Sequence, residues 1–118
     1  MNIAKKKLPE SIIEEQILWN LFKSGIFAWK NPTTGYFDAR TKTFRKHSNP
    51  FAINGVCDIL SVIQGKFVGI ECKSEKGKPT PDQTKFIDNV VKNGGIAFIA
   101  RSWEDVKTEL QKHGIVVK

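Results

Sequence analysis

Residues 56–73 read VCDILSVIQGKFVGIECK, two β-rich runs, 56–63 and 66–73, separated by Gln64-Gly65. A two-residue turn containing glycine between two such runs predicts a β-hairpin. Ile63 then faces Lys66, and counting back along both strands brings Asp58 directly opposite Glu71. Cross-strand neighbours have Cβ atoms about 4.5–5.5 Å apart. Lys73 shares the face of Glu71 because side chains alternate along a strand. One hairpin therefore places two carboxylates and a lysine together. The same register sets Cys57 opposite Cys72 on the other face, where packed thiols are expected. A one-residue slip would remove Asp58 from the group.

Two carboxylates facing each other repel unless something positive lies between them. A hard divalent cation, Mg²⁺ or Mn²⁺, is the natural occupant, since both prefer oxygen ligands. The backbone carbonyl of Cys72 is close enough to be a third ligand. Lys73 beside such an ion could orient or deprotonate an attacking water, or stabilise charge on a phosphate. Metal, lysine and basic surroundings together fit phosphodiester hydrolysis. The competing reading is an ordinary cross-strand salt-bridge cluster of Asp58, Glu71 and Lys73. Ile59, Leu60, Val62, Val68 and Ile70 weigh against it, because they mark the strands as central and buried.

Upstream, residues 9–24 read as a helix that Gly25 stops. At about 100° per residue, Ile13, Ile17, Leu21, Leu18 and Phe22 fall on one broad arc. Glu14 falls near the middle of that arc and Glu15 at its edge. Glu10 shares the direction of Glu14 but sits in the first turn, where an acid favours the helix dipole. A carboxylate aimed at a core is costly without a cationic partner. Glu14 is thus a candidate further contact to the cation, through water, with a lysine-paired helix-edge acid as the alternative. Residues 26–54 suggest β structure with turns, Tyr36-Phe37 and Thr43-Phe44 flanking a hairpin tip, or else an ordered loop.

Downstream, Thr80-Pro81-Asp82-Gln83 has the pattern of a capping box with proline at the first helical position. Phe86, Ile87, Val90 and Val91 form the expected buried stripe, and Gly94-Gly95 ends the helix. Ile96 to Ala100 is a short apolar strand. Strand, helix and strand in this order imply a parallel crossover and a mixed sheet. Ser102 caps a last helix reaching His113-Gly114, and 115–117 suggest a terminal strand.

The chain has 118 residues, 40% hydrophobic and 26% charged, the size and composition of one globular domain. No apolar run approaches the roughly 18 residues that span a bilayer, and no secretory signal follows the N-terminal lysines. The reading is a soluble, single-domain, cytoplasmic protein with no membrane partner. Two cysteines and two histidines show no zinc-ligand spacing and leave little room for a serine-type triad. The net charge of +7 suits a nucleic-acid partner. Its densest stretch, Arg40-Thr41-Lys42-Thr43-Phe44-Arg45-Lys46, interleaves basic and aromatic residues. It is either a phosphate-contacting surface or a solvated hairpin.

Asp58 followed by Glu71-Cys72-Lys73 at the end of an apolar strand resembles the D…E-x-K core of the PD-(D/E)XK nuclease superfamily. The chain is most similar within it to the VRR-NUC (virus-type replication–repair nuclease) family. The resemblance runs through the leading acidic helix, Trp29-Lys30-Asn31…Gly35, Gly55-Val56-Cys57-Asp58, Ile70-Glu71-Cys72-Lys73, Gly77…Pro81-Asp82-Gln83, Gly94-Gly95 and Ile99-Ala100-Arg101-Ser102. It covers about residues 10–106 of a single domain spanning 1–118. It implies an α/β, restriction-endonuclease-like core with a central mixed β-sheet flanked by helices.

The resemblance also implies Mg²⁺- or Mn²⁺-dependent DNA hydrolysis leaving a 5′-phosphate. Carried over, Asp58 and Glu71 are metal ligands and Lys73 is the catalytic lysine. Gln83 matches a glutamine that supports the lysine or the substrate phosphate. Glu14 matches the helix acid, with Glu10 and Glu15 as neighbouring candidates. Lys30, Asn31, Arg40, Lys42, Arg45, Lys46, Lys76 and Lys78 are the candidate DNA contacts. Stand-alone members resemble Holliday-junction resolvases, so the expected protein is a homodimer that nicks four-way junctions in a bacterial cell or phage-infected host. A nuclease of flaps or ordinary duplex, or a non-catalytic binding module, are the competing expectations.

Overall fold

The computed structural model describes residues 7–32, 36–38, 43–45 and 50–118, with backbone alone for 36–38 and 43–45. Helix α1 (Glu10–Lys23) leads into β1 (Phe27–Lys30), and a small hairpin follows, β2 (Tyr36–Asp38) and β3 (Thr43–Arg45). The rest of the chain runs β4 (Ile59–Ile63), β5 (Lys66–Cys72), α2 (Pro81–Lys92), β6 (Ile96–Ala100) and α3 (Trp103–Gln111). The main sheet has the order β1-β4-β5-β6, with β1/β4 and β4/β5 antiparallel and β5/β6 parallel. The expected α/β architecture with a central mixed sheet flanked by helices is what forms.

The hairpin register is the one read from the sequence: Ile63 pairs with Lys66 and Ile59 with Ile70. Gln64 and Gly65 both adopt positive φ, 52° and 79°, as the tight turn requires. The second hairpin also pairs as expected, Phe37 with Phe44. Its tip, together with Arg40, Lys42 and Lys46, lies outside the described residues.

One face of the sheet carries Ile59, Ile63, Val68, Ile70, Cys72, Ile96, Phe98 and Ala100. These meet Ile13, Ile17 and Leu21 of α1 and Val106 and Leu110 of α3 in the core. The spacing of Ile13, Ile17 and Leu21 is one helical stripe, and it is narrower than the sequence arc. Phe22 is not in it: the ring is 72% exposed and meets Trp19 edge-on at 5.8 Å. The other face of the sheet receives α2. There a Cβ on Gly69 would stand 3.0 Å from the Cys57 sulfur and 3.6 Å from the Phe86 ring, so the glycine makes room for both.

Several element expectations are corrected. The first hairpin strand starts at Ile59, not residue 56, because the chain bends at Asp58. That bend breaks the alternation, and Cys57 packs over Gly69 instead of facing Cys72, which sits in the core on the opposite side. Val62 is exposed, since α2 covers only the β5–β6 half of its face. For the same reason α2 has no fully buried residue: Phe86, Ile87 and Val90 are half-buried and Val91 is exposed. Helix α3 stops at Gln111, before His113-Gly114. Residues 115–117 form no strand; Ile115 instead plugs the core. Among the described residues no helix is long and apolar enough to cross a membrane.

Candidate active site

The end of β5 delivers Glu71 to the interior. Its side chain is 1% exposed, and neither carboxylate oxygen has a hydrogen-bond partner. Burial pushes its pKa well above the ordinary carboxylate range. The adjacent Asp58 carboxylate adds to the shift, and Lys73 opposes it. Two orphaned buried oxygens are costly, and the arrangement is one that a cation would relieve.

Asp58, one residue before the first paired position of β4, lies beside Glu71. Its Oδ2 accepts a hydrogen bond from the Cys72 backbone N–H at 3.0 Å, and its carbonyl accepts from the Asn31 N–H at 2.8 Å. Asp58 is therefore held by the residue that follows β1 on one side and by β5 on the other. Lys73 is 7% exposed, its backbone N–H donating to the Ala100 carbonyl at 3.1 Å. Its Nζ lies 3.9 Å from Glu10 Oε1.

Helix α1 adds two acids to the same place. The Glu14 side chain is 13% exposed, and its Oε1, which has no hydrogen-bond partner, lies 3.4 Å from Lys30 Nζ. Its pKa is raised, by burial first; Lys30 opposes the rise, while Asp58 and Glu10 add to it. The buried Cys72 thiol is pushed up by burial first, and then by the charges of Asp58, Glu14, Glu71 and Glu10. Burial, reinforced by Glu71 and Asp58, pushes Cys57 up to about 12. Both thiols are therefore held protonated and serve as packing groups.

The donor set fits a hard divalent cation. Four carboxylates confront two lysines, and the most buried acid has both oxygens free. No group of three Asp, Glu, His or Cys side chains among the described residues forms a ready cage. A cation held here would draw on Asp58 and Glu71, with the Cys72 carbonyl, Glu14 and water completing its shell. Magnesium is commonly bound through one or two carboxylates while keeping several waters.

The remaining candidates are distributed differently. Gln83 is occupied in the capping box: its Oε1 accepts from Thr80 N–H at 2.9 Å, and its N–H donates to Thr80 Oγ1 at 3.2 Å. Lys76 and Lys78 are exposed just beyond β5. Lys30 is engaged with Glu14, and Arg45 lies on β3. Two residues contribute in ways the sequence leaves unspecified. Glu10, a neighbouring candidate for the helix acid, reaches Lys73. Gly55, at φ 77°, presses against the start of α2: a Cβ would stand 2.3 Å from the Asp82 carbonyl carbon and 2.6 Å from Gln83 N. That contact brings the 55–58 and 81–83 segments together.

A mixed four-stranded sheet with α1 and α3 on one face, α2 on the other, and acids gathered at the strand ends defines a restriction-endonuclease-like α/β fold. A solved structure described as a VRR_NUC domain protein shares it, at TM-score 0.60 and 20% sequence identity, over 90% of this chain and 88% of that one. No protein-family model matches the chain, and no curated protein does.

Proposed function

We propose that the protein is a divalent-metal-dependent endodeoxyribonuclease of the VRR-NUC kind, nicking four-way junctions as a homodimer. The observation that carries the nuclease reading is Glu71, a buried carboxylate with both oxygens unpartnered, flanked by Asp58 and Lys73. The sequence resemblance and the fold shared with a VRR_NUC domain protein support the same reading. The basic charge supports DNA as the partner, and a two-fold dimer suits the symmetry of a junction. The junction preference and the dimer rest on the resemblance of stand-alone members to resolvases.

In this reading Asp58, Glu71 and the Cys72 carbonyl would hold Mg²⁺ or Mn²⁺, with Glu14 as a further contact through water. Such an ion, when bound, would supply Lewis-acid polarisation of the scissile phosphate. Lys73 orients the attacking water and offsets charge on the phosphoryl oxygens. Water attacks phosphorus, the P–O3′ bond breaks, and the products are a 5′-phosphate and a 3′-hydroxyl that takes up a proton. Gln83 supports Lys73 or the phosphate once its capping contact is exchanged for substrate. Lys76, Lys78 and the 40–46 stretch contact the backbone of the DNA.

The test is cleavage of end-labelled four-way junction, flap and linear duplex with Mg²⁺, Mn²⁺ or EDTA, with Glu71→Ala alongside. Metal-dependent symmetric nicks in the junction alone, absent in the variant, are expected. Cleavage of all three keeps the nuclease and removes the junction preference. The net charge of +7 also supports a second reading, a non-catalytic basic DNA-binding module. Binding without cleavage of any substrate would establish it.

A further inference from the structure

Arg101 follows β6 directly, and its guanidinium turns back over the segment leaving β5. Its Nη1 donates to the Ser74 carbonyl and to the Gly77 carbonyl at 2.8 Å, with the Glu75 carbonyl at 3.4 Å. Residues 74–77 form a turn closed by the Gly77 N–H donating to the Ser74 carbonyl at 3.0 Å. Three carbonyls of one turn thus converge on one cation. Without a donor they would point their negative ends toward a common spot, and charge-assisted hydrogen bonds are the strong way to hold them.

The anchor itself is fixed. The Arg101 N–H donates to Asp105 Oδ2 at 2.8 Å, and the Asp105 N–H donates to Ser102 Oγ at 3.1 Å, so the cap of α3 holds the arginine backbone. The residue before it, Ala100, accepts the Lys73 N–H. The turn lies against the Lys73 side chain: a Cβ on Gly77 would stand 3.5 Å from Lys73 Cδ and 3.1 Å from Ser74 Oγ. Glycine here leaves space for the lysine stem, and the turn limits where that stem can go.

We propose that Arg101 is a positioning residue for Lys73. By gathering the carbonyls of Ser74, Glu75 and Gly77 it holds the turn against the lysine stem and keeps the ammonium among the carboxylates. The consequence for cleavage rests on the nuclease reading; the constraint on Lys73 does not. An Arg101 that only attracted DNA would act on substrate affinity instead.

The experiment compares wild type with Arg101→Met, which keeps the aliphatic stem and removes the donors. A misplaced reacting group costs up to about 100-fold, so kcat is expected to fall about 10- to 100-fold. KM should stay within about twofold, and guanidinium ion added to the buffer should restore part of the rate. In parallel, an amine-reactive reagent is applied without substrate and acylation is read by mass spectrometry. Lys73 should react faster in the variant relative to Lys107, with the thermal transition showing a folded protein. Should Arg101→Met not fold, Arg101→Lys, which keeps the charge but not the planar donor group, is read by the same two measurements. Unchanged Lys73 reactivity in a folded variant overturns the proposal whatever the cleavage result. A raised KM at unchanged kcat also overturns it, assigning Arg101 to DNA binding. Faster Lys73 labelling in a protein that cuts nothing upholds the constraint and removes the nuclease reading.

Discussion

Asp58 Oδ2 accepts the backbone N–H of Cys72 at 3.0 Å, binding the bend before β4 to the residue between Glu71 and Lys73. One carboxylate therefore both positions the end of β5 and faces Glu71, the most buried acid among the described residues. Removing its charge while keeping an acceptor separates the two roles. Asp58→Asn should fold normally yet bind Mn²⁺ at least about tenfold more weakly, since even outer partners of a metal site are worth 10- to 100-fold. Asp58→Ala should lose both. Calorimetry with Mn²⁺ showing unchanged affinity in Asp58→Ala would exclude the metal site.

The raised pKa of Glu71 gives the cation-free protein an unusual pH dependence. The folded state holds a proton that the unfolded chain releases near the ordinary carboxylate pKa of about 4.3. The contribution of this group is most favourable below that value and is lost as pH rises toward the raised folded pKa. Thermal melts in EDTA should show stability falling from pH 5 to 8, with a shallower fall in Glu71→Gln. Mn²⁺ should raise the midpoint of wild type at pH 8 and leave Glu71→Gln unmoved. Parallel pH profiles for the two proteins would remove Glu71 as the source.

Lys73 is buried beside the acids, so its loss should act on chemistry and not on encounter. Lys73→Ala is expected to retain junction affinity by gel shift and to cut about 10²- to 10⁴-fold more slowly. A variant that cuts as fast as wild type would end the role given to the lysine.

Gly55 combines a positive φ with backbone atoms of Asp82 and Gln83 where a side chain would begin. Gly55→Ala should destabilise the protein by about 1–3 kcal/mol, the cost of a strained backbone residue or more. Denaturant unfolding measures it. A midpoint equal to that of wild type would show that the 55–58 segment need not touch α2.

If Arg40, Lys42, Arg45 and Lys46 touch phosphates, replacing all four by neutral residues should flatten the salt dependence of DNA binding. The slope of log K against log salt becomes shallower by about 0.9 for each phosphate that is no longer neutralised. An unchanged slope would make the stretch a solvated hairpin. The same measurement on a Lys76, Lys78 double variant tests the turn that Arg101 holds.

Local chemistry made much of this molecule legible. A two-residue glycine turn leaves one register open to the 59–63 and 66–70 strands, so the juxtaposition of Asp58 and Glu71 followed from counting. Thr80, Pro81 and Gln83 specify their cap through contacts three residues apart, and the parallel crossover followed from the strand–helix–strand order. The helical period also showed Glu14 as an acid in an apolar arc, because its direction depends on its own helix alone.

What the sequence alone did not decide depends on which surfaces meet. Strand alternation predicted Cys57 opposite Cys72, but the bend at Asp58, held by Asn31 and Cys72, turned the thiol over Gly69. Periodicity placed Phe22 with the core and Val91 in a stripe, yet burial depends on what lies opposite, and both stay largely exposed. The sequence offers Glu10 as one of three candidates for the helix acid, and Arg101 only as part of the 99–102 stretch of the resemblance. Only the docking of α1 against the strand ends brings Glu10 to Lys73, and only the parallel pairing of β5 with β6 brings Arg101 to the turn beyond Lys73. Hairpins and caps are settled by neighbours in the chain, whereas a site assembled from α1, β5 and β6 is settled by packing between residues far apart in it.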